Sequence, residues 1–455
     1  MPRRICRRWI ERAAPLLLIA ALLPAAARAD DWAAPLDVAV VQAKARHAPL
    51  LLDFHAPWCY SCYYMARHVL DGPEWDDVER HAVVVEIDVD APEGAYWKER
   101  LKVQALPSYV VLSTDAVELG RIVGEQTRSD FYHQLTPILS RDDSFDALRA
   151  QVLAGGRPAL KAARKLLPAF YARGDAEGAL ALIDGLPSAQ RSALAADPKT
   201  HSYLARLRLM KAAQQPDPQA CAELAPEALA GDLGCERAYE VERVMQCTAE
   251  LPLAQRRSLL AEQKPAMMHL LTGAVFAESA PTCADVRSEV LTAASLDETL
   301  GYPHAAEALL DRAIEDTQRR LSVSTGRSRA LDLRKDRNLA DNLRVFLDRA
   351  GKTAALDALY PQLIQAYPDD YVYPYRFAKS LLARHQYAQA LPLLEQALPK
   401  AYGVNRLEVA QAEASTLTKL NRMDDARKVV ADTLKANGPW FPQQAAALKA
   451  SVASN

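Results

Sequence analysis

The sequence has no apolar run long enough to cross a lipid bilayer, which takes about 18 residues or more. The apolar run near its start extends only from Ala13 to Leu23. Five arginines precede this run, and Ala27-Arg28-Ala29 follows it. A charged segment, a short apolar segment and a small-x-small site are typical of a secretory signal peptide. We predict a signal peptide over residues 1–29, cleaved near Ala29, and hence an exported, periplasmic protein; the alternative is an uncleaved anchor.

The sequence also lacks a strong excess of charge of either sign. Its formal net charge is −2; residues 1–29 hold six arginines and one glutamate, so cleavage would remove a net +5 and leave −7. A mildly acidic chain argues against nucleic acid and anionic membrane surfaces as partners. About 425 residues are too many for one hydrophobic core and indicate two or three domains.

The cysteines and histidines lack the spacing of common zinc modules. There is one Cys-x-x-Cys pair and no His-x-x-x-His pair, whereas zinc modules usually combine two such pairs. Three residues near the Cys-x-x-Cys pair, His55, Met65 and His68, are of types that suit soft metals. We nevertheless expect no metal and no organic cofactor. The six cysteines left after cleavage form an even number, which fits an oxidising compartment such as the periplasm.

The Cys59-Tyr60-Ser61-Cys62 motif lies between a strand-like run, Leu50–His55, and a segment that can be helical. This placement puts the Cys59 sulfur at a helix N-terminus, where free N–H groups and the helix dipole stabilise a thiolate. Thiolate is the attacking species in disulfide exchange, and Cys62, one turn on, is placed to resolve a mixed disulfide. The motif therefore predicts thiol-disulfide chemistry.

Strands and helices alternate around this motif. We predict helices over 36–45, 74–81, 95–102 and 129–139, and strands over 50–55, 83–89, 109–112 and 117–123, with the last two strands joined as a hairpin. Such an order forms an α/β unit of about 110 residues.

Four features of this unit resemble thioredoxin: Trp58 before Cys59, Asp53 six residues before Cys59, Pro107 48 residues after it, and Gly124 near the last helix. The run from Leu52 to Cys59 and the Leu106-Pro107 pair are more similar still to the thioredoxin-like C-terminal domain of bacterial membrane thiol:disulfide interchange reductases. The resemblance covers about 110 residues of the 455 and implies a thioredoxin fold over residues 30–140.

The resemblance also implies roles for the site residues. Cys59 would be the nucleophile and Cys62 the resolving cysteine, and Asp53 would be a buried acid that takes or supplies a proton for Cys62. The alternative for Asp53 is a strand-end residue satisfied by the backbone.

Substrate-binding roles follow from the same resemblance. Pro107 would be a cis-proline that holds the Leu106 backbone beside the sulfurs for an extended substrate, and Trp58 would shield the site. The alternatives are a proline that only starts a strand and a tryptophan that only packs in the core.

Some residues depart from the thioredoxin pattern. His55 replaces an aromatic residue, Tyr60-Ser61 replaces the common Gly-Pro pair, and Tyr63 replaces a basic residue. The dipeptide between the cysteines tunes thiol pKa and redox potential, so reductase, oxidase and isomerase all remain open. Tyr60, Tyr63 and Tyr64 form an aromatic group that is a candidate partner surface.

From residue 141 onward, Ala, Leu, Arg and Glu dominate at helical spacing. Small residues twelve apart recur 36 residues later, as Ala378 with Ala390 and Ala414 with Ala426. Ala294 with Ala306 fits the same pattern. Small residues let paired helices approach, and such pairs stack. The pattern resembles tetratricopeptide repeats and predicts an all-α helical-repeat solenoid, most clearly over residues 291–455. For residues 141–290 we predict a helical region with disulfides; the alternative there is an irregular bundle.

Four cysteines lie in that middle part: Cys221, Cys235, Cys247 and Cys283. Their spacing fits no zinc module, so we predict two structural disulfides, for which three connectivities are possible. The alternative is that one of these pairs exchanges electrons with Cys59–Cys62.

These observations predict an exported thiol-disulfide oxidoreductase that exchanges disulfides with client proteins. Its helical-repeat tail would bind a protein or peptide in a groove, and a membrane thiol:disulfide interchange reductase is the electron donor implied by the resemblance. The alternative is a non-enzymatic interaction protein in which the repeats bind a partner and the Cys59–Cys62 disulfide is structural.

Overall fold

The structure is a computed structural model that describes residues 35–140, 144–277, 282–325 and 328–452. The predicted signal peptide lies outside the described residues. The first range, which we call the α/β part, contains nine elements: α1 (Pro35–Arg46), β1 (Leu50–His55), α2 (Tyr60–His68), α3 (Gly72–His81), β2 (Val83–Asp88), α4 (Pro92–Arg100), β3 (Ser108–Leu112), β4 (Glu118–Val123) and α5 (Arg128–Leu139).

The four strands of the α/β part form one sheet in the order β2-β1-β3-β4. β1 pairs in parallel with β2 and antiparallel with β3, and β3 pairs antiparallel with β4. Alternate β1 side chains enter different cores: Leu50 and Leu52 pack on one face of the sheet, and Leu51 packs with Met65 of α2 on the other. Because both faces are covered, β1 is apolar along most of its length.

The elements expected in the α/β part are present. The main difference is that α3 and α4 begin earlier than predicted, at Gly72 and Pro92. Each of these helices has a proline in its first turn, where the missing N–H costs nothing. The predicted α/β fold followed by a helical region is confirmed.

The remaining described residues, which we call the helical region, are mostly α-helical. Its helices are α6 (Phe145–Ala154), α7 (Gly156–Ala172), α8 (Ala176–Asp184), α9 (Ser188–Ala196), α10 (Pro198–Gln214), α11 (Pro218–Ala228), α12 (Arg237–Cys247), α13 (Leu253–Leu260), α14 (Gln263–Leu270), α15 (Val286–Leu300), α16 (Pro303–Leu321), α17 (Arg337–Arg349), α18 (Thr353–Ala366), α19 (Val372–Ala383), α20 (Tyr387–Ala397), α21 (Gly403–Lys419), α22 (Met423–Asn437) and α23 (Pro442–Ala450). A two-stranded hairpin that the sequence pattern did not predict, β5 (Ser322–Thr325) with β6 (Ser328–Leu331), lies between α16 and α17.

The alanines of the repeat pattern lie where consecutive helices pack. Ala378 and Ala390 belong to the α19–α20 pair, Ala414 and Ala426 belong to the α21–α22 pair, and all four are 0% exposed. A methyl group at these positions allows close contact between the helix backbones. The helical region therefore fits a helical-repeat arrangement.

The four cysteines of the helical region are joined as Cys221–Cys247 and Cys235–Cys283. The first bond links α11 to the end of α12. The second ties the turn before α12 to the segment that leads into α15. One of the three possible connectivities is thereby selected.

The helical region packs against the α/β part, and the described residues of both belong to one compact unit. α7 contacts β4, and α17 contacts α2. At the start of α21, the Val404 N–H donates to the Asp90 carbonyl oxygen (3.2 Å). Gly403 is required there: its φ is +52°, and a Cβ would lie 1.9 Å from that oxygen. Within the described ranges, no helix combines the length and apolar character needed to span a membrane.

Candidate functional site

The Cys59 and Cys62 side chains form a disulfide at the start of α2, with their Cα atoms 5.2 Å apart. Cys59 is the N-cap residue of this helix, and its Sγ accepts the Cys62 N–H at 3.1 Å. The first turn of α2 carries no acidic residue. Once the bond is reduced, the same N–H group and the helix dipole would stabilise a Cys59 thiolate.

Asp53 is a buried carboxyl group on β1, on the same sheet face as Leu51 and therefore on the α2 side of the sheet. Burial raises its pKa to about 7, and the negative charge of Glu86 adds to the effect. Glu86 is exposed and is the residue paired with Asp53 across β1 and β2. A carboxyl group that titrates near neutrality suits proton transfer, so Asp53 remains the predicted proton carrier.

The Leu106–Pro107 peptide bond is cis, the conformation that the thioredoxin resemblance implies. The Pro107 carbonyl oxygen accepts the N–H of Gly124 at 2.9 Å. Leu106 packs against the core cluster that contains Cys59, with Cys62 at its edge. The structure thus brings the cis-proline turn and the redox pair to one core, as expected for a substrate-binding turn, whose role remains a prediction.

Trp58 lies at the surface beside Cys59. The residue is 38% exposed, and its Nε1–H donates to Asp90 Oδ2 at 2.8 Å. Burial raises the pKa of Asp90 to about 6. Trp58 is therefore held in place by a hydrogen bond and keeps one face open to solvent beside the disulfide.

Two of the three side chains considered as soft-metal ligands, Met65 and His68, have other partners. Met65 is buried, and its sulfur accepts the Gln126 N–H at 3.3 Å. His68 Nε2 lies 2.7 Å from Asp336 Oδ2. In the described part of the chain, no group of three or more His, Cys, Asp and Glu residues could hold a metal ion.

The tyrosines of the motif contact the helical region. The Tyr60 hydroxyl lies 3.4 Å from Asp285 Oδ2, and the Arg287 guanidinium lies 3.3 Å from the centre of the Tyr60 ring. The Tyr63 ring lies 4.0 Å from the Arg337 guanidinium. The aromatic group that the sequence offers as a partner surface is thus partly used within the chain.

Glu125 is a site residue that sequence reasoning did not identify. It follows Gly124, is 7% exposed, and its Oε2 is buried without a hydrogen-bond partner. Burial and the nearby Asp285 raise the pKa of Glu125 well above its ordinary value, and the Ser61 hydroxyl, which hydrogen-bonds to its carboxyl group, counters part of this shift. The sequence offered only a weak signal, a single carboxyl group two residues beyond the end of β4.

Comparisons with known proteins agree with this geometry. Residues 36–137 match the model of a thioredoxin-like domain. The chain is 26% identical over 134 residues to the thiol:disulfide interchange protein DsbD of Klebsiella pneumoniae, covering 25% of this chain and 22% of that protein. It is 29% identical over 142 residues to DsbD of Cronobacter sakazakii, covering 26% of this chain and 24% of that protein. The chain thus spans about a quarter of the length of these relatives.

Among solved structures, a solution structure of a thioredoxin from Thermus thermophilus is 29% identical, covers 23% of this chain and 85% of that chain, and has a TM-score of 0.22. With the family match, the motif and the sheet order, one conclusion follows for the first part of the chain. Residues 36–137 form a thioredoxin-like domain with weak homology to the DsbD thiol:disulfide interchange proteins, and a region that fits a helical repeat follows it.

Proposed function

We propose that this protein is an exported thiol-disulfide oxidoreductase that acts on protein disulfides through Cys59 and Cys62. The observation that carries the proposal is the Cys59–Cys62 pair at the N-terminus of α2 in a thioredoxin-like domain. The buried Asp53 and the cis Leu106–Pro107 bond support it. We further propose export to the periplasm, cleavage near Ala29, and a boundary near residue 140 between the thioredoxin-like domain and the helical region.

In the reducing direction, the Cys59 thiolate attacks one sulfur of a client disulfide. A Cys59–client bond forms, and the second client sulfur leaves as a thiolate that takes up a proton. Cys62 then loses its proton, with Asp53 as the proposed acceptor, and attacks the Cys59 sulfur. The client's first sulfur leaves, and the Cys59–Cys62 disulfide forms. Both client sulfurs end as thiols: one proton comes from Cys62 through Asp53, and the other comes from solvent, to which Cys59 gave its proton on forming the thiolate. Counted from the dithiol, the two cysteines thus lose two electrons and two protons, and the client gains the same number.

In the oxidising direction each step runs in reverse. A client thiolate attacks the Cys59–Cys62 disulfide, and the client leaves with a new disulfide while both cysteines become thiols. For continued reduction, we propose re-reduction by a membrane thiol:disulfide interchange protein. The homology to DsbD supports this type of donor.

Trapping of mixed disulfides tests the proposal. In a Cys62→Ala variant the resolving thiol is absent, so we expect client adducts on Cys59 that appear on non-reducing gels and are mapped by mass spectrometry. The double variant Cys59→Ala/Cys62→Ala should show none. If Cys59 is reduced and still forms no adduct, the enzyme proposal fails.

The interaction-protein alternative keeps one specific observation in its favour, since Cys59 is only 4% exposed. In that case the disulfide would resist mild reductants while the protein is folded. We expect instead that a dithiol buffer reduces Cys59–Cys62 while the Cys221–Cys247 and Cys235–Cys283 bonds persist. Peptide mapping after alkylation measures all three bonds in one experiment.

A further inference from the structure

The helical region binds the segment that carries the redox pair, Trp58–Tyr63, which we call the redox segment. Arg376 Nη2 donates to the Trp58 carbonyl oxygen at 2.9 Å. Asn338 Nδ2 donates to the Tyr60 carbonyl oxygen at 3.1 Å. These contacts join residues 318 and 278 positions apart in the sequence and add to those of the two tyrosine rings.

The two hydrogen bonds flank Cys59 in the sequence, at Trp58 and Tyr60. α17 contacts α2, and Cys59, which packs in the core of its own domain, is 4% exposed. A stable interface between two folded proteins buries roughly 800 Å² on each partner. Because Arg376 and Asn338 already bind backbone carbonyl oxygens on both sides of Cys59, a folded partner that used this side of the redox segment could reach the sulfurs only after the two parts separate.

A cleft of about 450 Å³ has Pro57, two residues before Cys59, in its lining. Pro57, which directly precedes Trp58, forms one wall. The opposite wall comes from the helical region and includes Tyr367, Tyr371 and Tyr402. The cleft is within the usual size range of binding pockets, and it is too small for a folded domain.

The lining of the cleft favours a polypeptide over a charged small thiol. Its cations have partners, because Arg337 pairs with Asp370 and Lys400 donates to the Pro368 carbonyl oxygen. The Tyr371 hydroxyl is buried and has no hydrogen-bond partner, so it can serve a backbone group of a ligand. Aromatic rings and proline supply contact area for apolar side chains at low entropic cost.

We propose that the helical region restricts exchange at Cys59 to cysteines in extended, unfolded polypeptide segments, which enter along the Pro57 cleft. Disulfides on the surface of folded proteins are excluded by the contacts of Asn338 and Arg376 with the redox segment. This inference rests on the proposed function and names its substrate class. The chemical step is the exchange described above, with the segment's cysteine sulfur bonded to Cys59.

Two probes of different size test the substrate class. One is a short unstructured peptide and the other a small folded domain, each carrying a single cysteine as its mixed disulfide with thionitrobenzoate. Attack by reduced Cys59 forms the Cys59–probe bond and releases coloured thionitrobenzoate. Rates are normalised to those with dithiothreitol. We expect the full protein to react at least about tenfold faster with the peptide probe than with the folded probe, because the rate of thiol–disulfide exchange depends on access to the attacking thiol.

Loosening the contacts should remove the discrimination. The variant Asn338→Ala/Arg376→Ala should raise the exchange rate with the folded probe about tenfold and leave the rate with the peptide probe little changed. Each lost hydrogen bond weakens the closed arrangement, in which the helical region contacts the redox segment, severalfold. The control Arg384→Ala breaks an arginine–carboxylate pair with Asp357 in the helical region and should change neither rate.

The variant Pro368→Trp tests the cleft itself, because Pro368 is an exposed residue of its lining. It should lower the exchange rate with the peptide probe and leave the rate of Cys59 alkylation by iodoacetamide unchanged.

The outcomes separate the two proposals. Equal normalised rates with both probes, or unchanged selectivity in the double variant, would overturn the substrate class while exchange itself stands. If neither probe releases thionitrobenzoate although iodoacetamide alkylates Cys59, the proposed function fails, and the substrate class fails with it.

Discussion

Asp53 is the single residue whose environment most directly links stability to the proposed chemistry. Its carboxyl group is buried beside the sheet, with exposed Glu86 as its neighbour on β2. Because burial raises its pKa from 3.8 to about 7, the folded protein binds this proton more tightly than the unfolded chain does. The contribution to stability is therefore full at pH below about 4, and it falls as the pH rises to about 7.

The variant Asp53→Asn should change stability and activity in opposite directions. At pH 8 the free energy of unfolding should rise by roughly 2–4 kcal/mol, because the buried charge is removed. The gain should shrink toward pH 4. The exchange rate at pH 7 should fall about tenfold or more, because Asn cannot carry a proton. Urea unfolding across pH and single-turnover exchange measure the two effects.

Glu86→Gln provides the matched control. It removes the exposed neighbour that raises the pKa of Asp53 and keeps the buried acid. Its exchange rate should be close to that of the unaltered protein, with the pH midpoint moved to lower pH. Equal losses of rate in both variants, or a loss of stability in Asp53→Asn at pH 8, would contradict the assignment.

At the scale of elements, the start of α21 holds the helical region against the thioredoxin-like domain. Gly403 has a positive φ and lies against the backbone of Asp90. Asp90 in turn accepts the hydrogen bond from Trp58. Asp90 therefore links the two parts: its backbone contacts Gly403 of the helical region, and its carboxylate binds Trp58, the residue before Cys59.

Gly403→Ala should lower the free energy of unfolding by more than the cost of placing alanine at a positive φ. The control Gly351→Ala has a similar φ of +66° with nothing within 4 Å of the added Cβ, so it should cost only about 1 kcal/mol. Gly403→Ala must also displace the Asp90 carbonyl and should cost roughly 2–4 kcal/mol. Urea unfolding measures both, and hydrogen exchange should show faster amides near residues 88–91 in Gly403→Ala. Equal costs would mean that the contact is not maintained.

At the scale of the whole molecule, one carboxylate organises the contacts to the redox segment. Burial opposes ionisation of Asp341, yet the guanidinium groups of Arg344, Arg376 and Arg287 hold its pKa well below its ordinary value. Two of these arginines, Arg287 and Arg376, also contact the redox segment. The network thus connects α15, α17 and α19 to the thioredoxin-like domain.

Asp341→Asn should therefore destabilise the protein and loosen its closed arrangement. Removing one partner of a buried ion network leaves uncompensated charge and costs about 3–5 kcal/mol. Asp357→Asn is the control, because its pair with Arg384 is about one-third exposed and should contribute at most about 1 kcal/mol. Urea unfolding compares the two, and alkylation of reduced Cys59 should be faster only in Asp341→Asn. Similar losses of unfolding free energy in the two variants would show that the ion pairs of Asp341 are not formed in solution.

Local patterns were enough to predict the elements of the thioredoxin-like domain and the position of the Cys59–Cys62 pair, whereas the roles predicted for Asp53 and Pro107 came from the resemblance to thioredoxin. A strand buried on both faces is apolar over consecutive residues, as in Leu50–Leu52, and a Cys-x-x-Cys motif directly after it has few other structural contexts. The repeat alanines were visible for a similar reason, since helices that pack closely need small residues at fixed spacing. Glu125 was not found, because a single carboxyl group carries no periodicity.

The sequence by itself thus determined where the redox pair lies, which strand and helix hold it, and that helical pairs follow. Only the tertiary structure decided the pairing of Cys221 with Cys247 and the packing of the helical region onto the redox segment. Both depend on contacts between residues far apart in the chain. Asn and Arg are residue types usual on helix surfaces, so nothing local distinguishes Asn338 and Arg376 in the sequence. Only the folded chain brings them to Tyr60 and Trp58, and there Asn338 is 4% exposed.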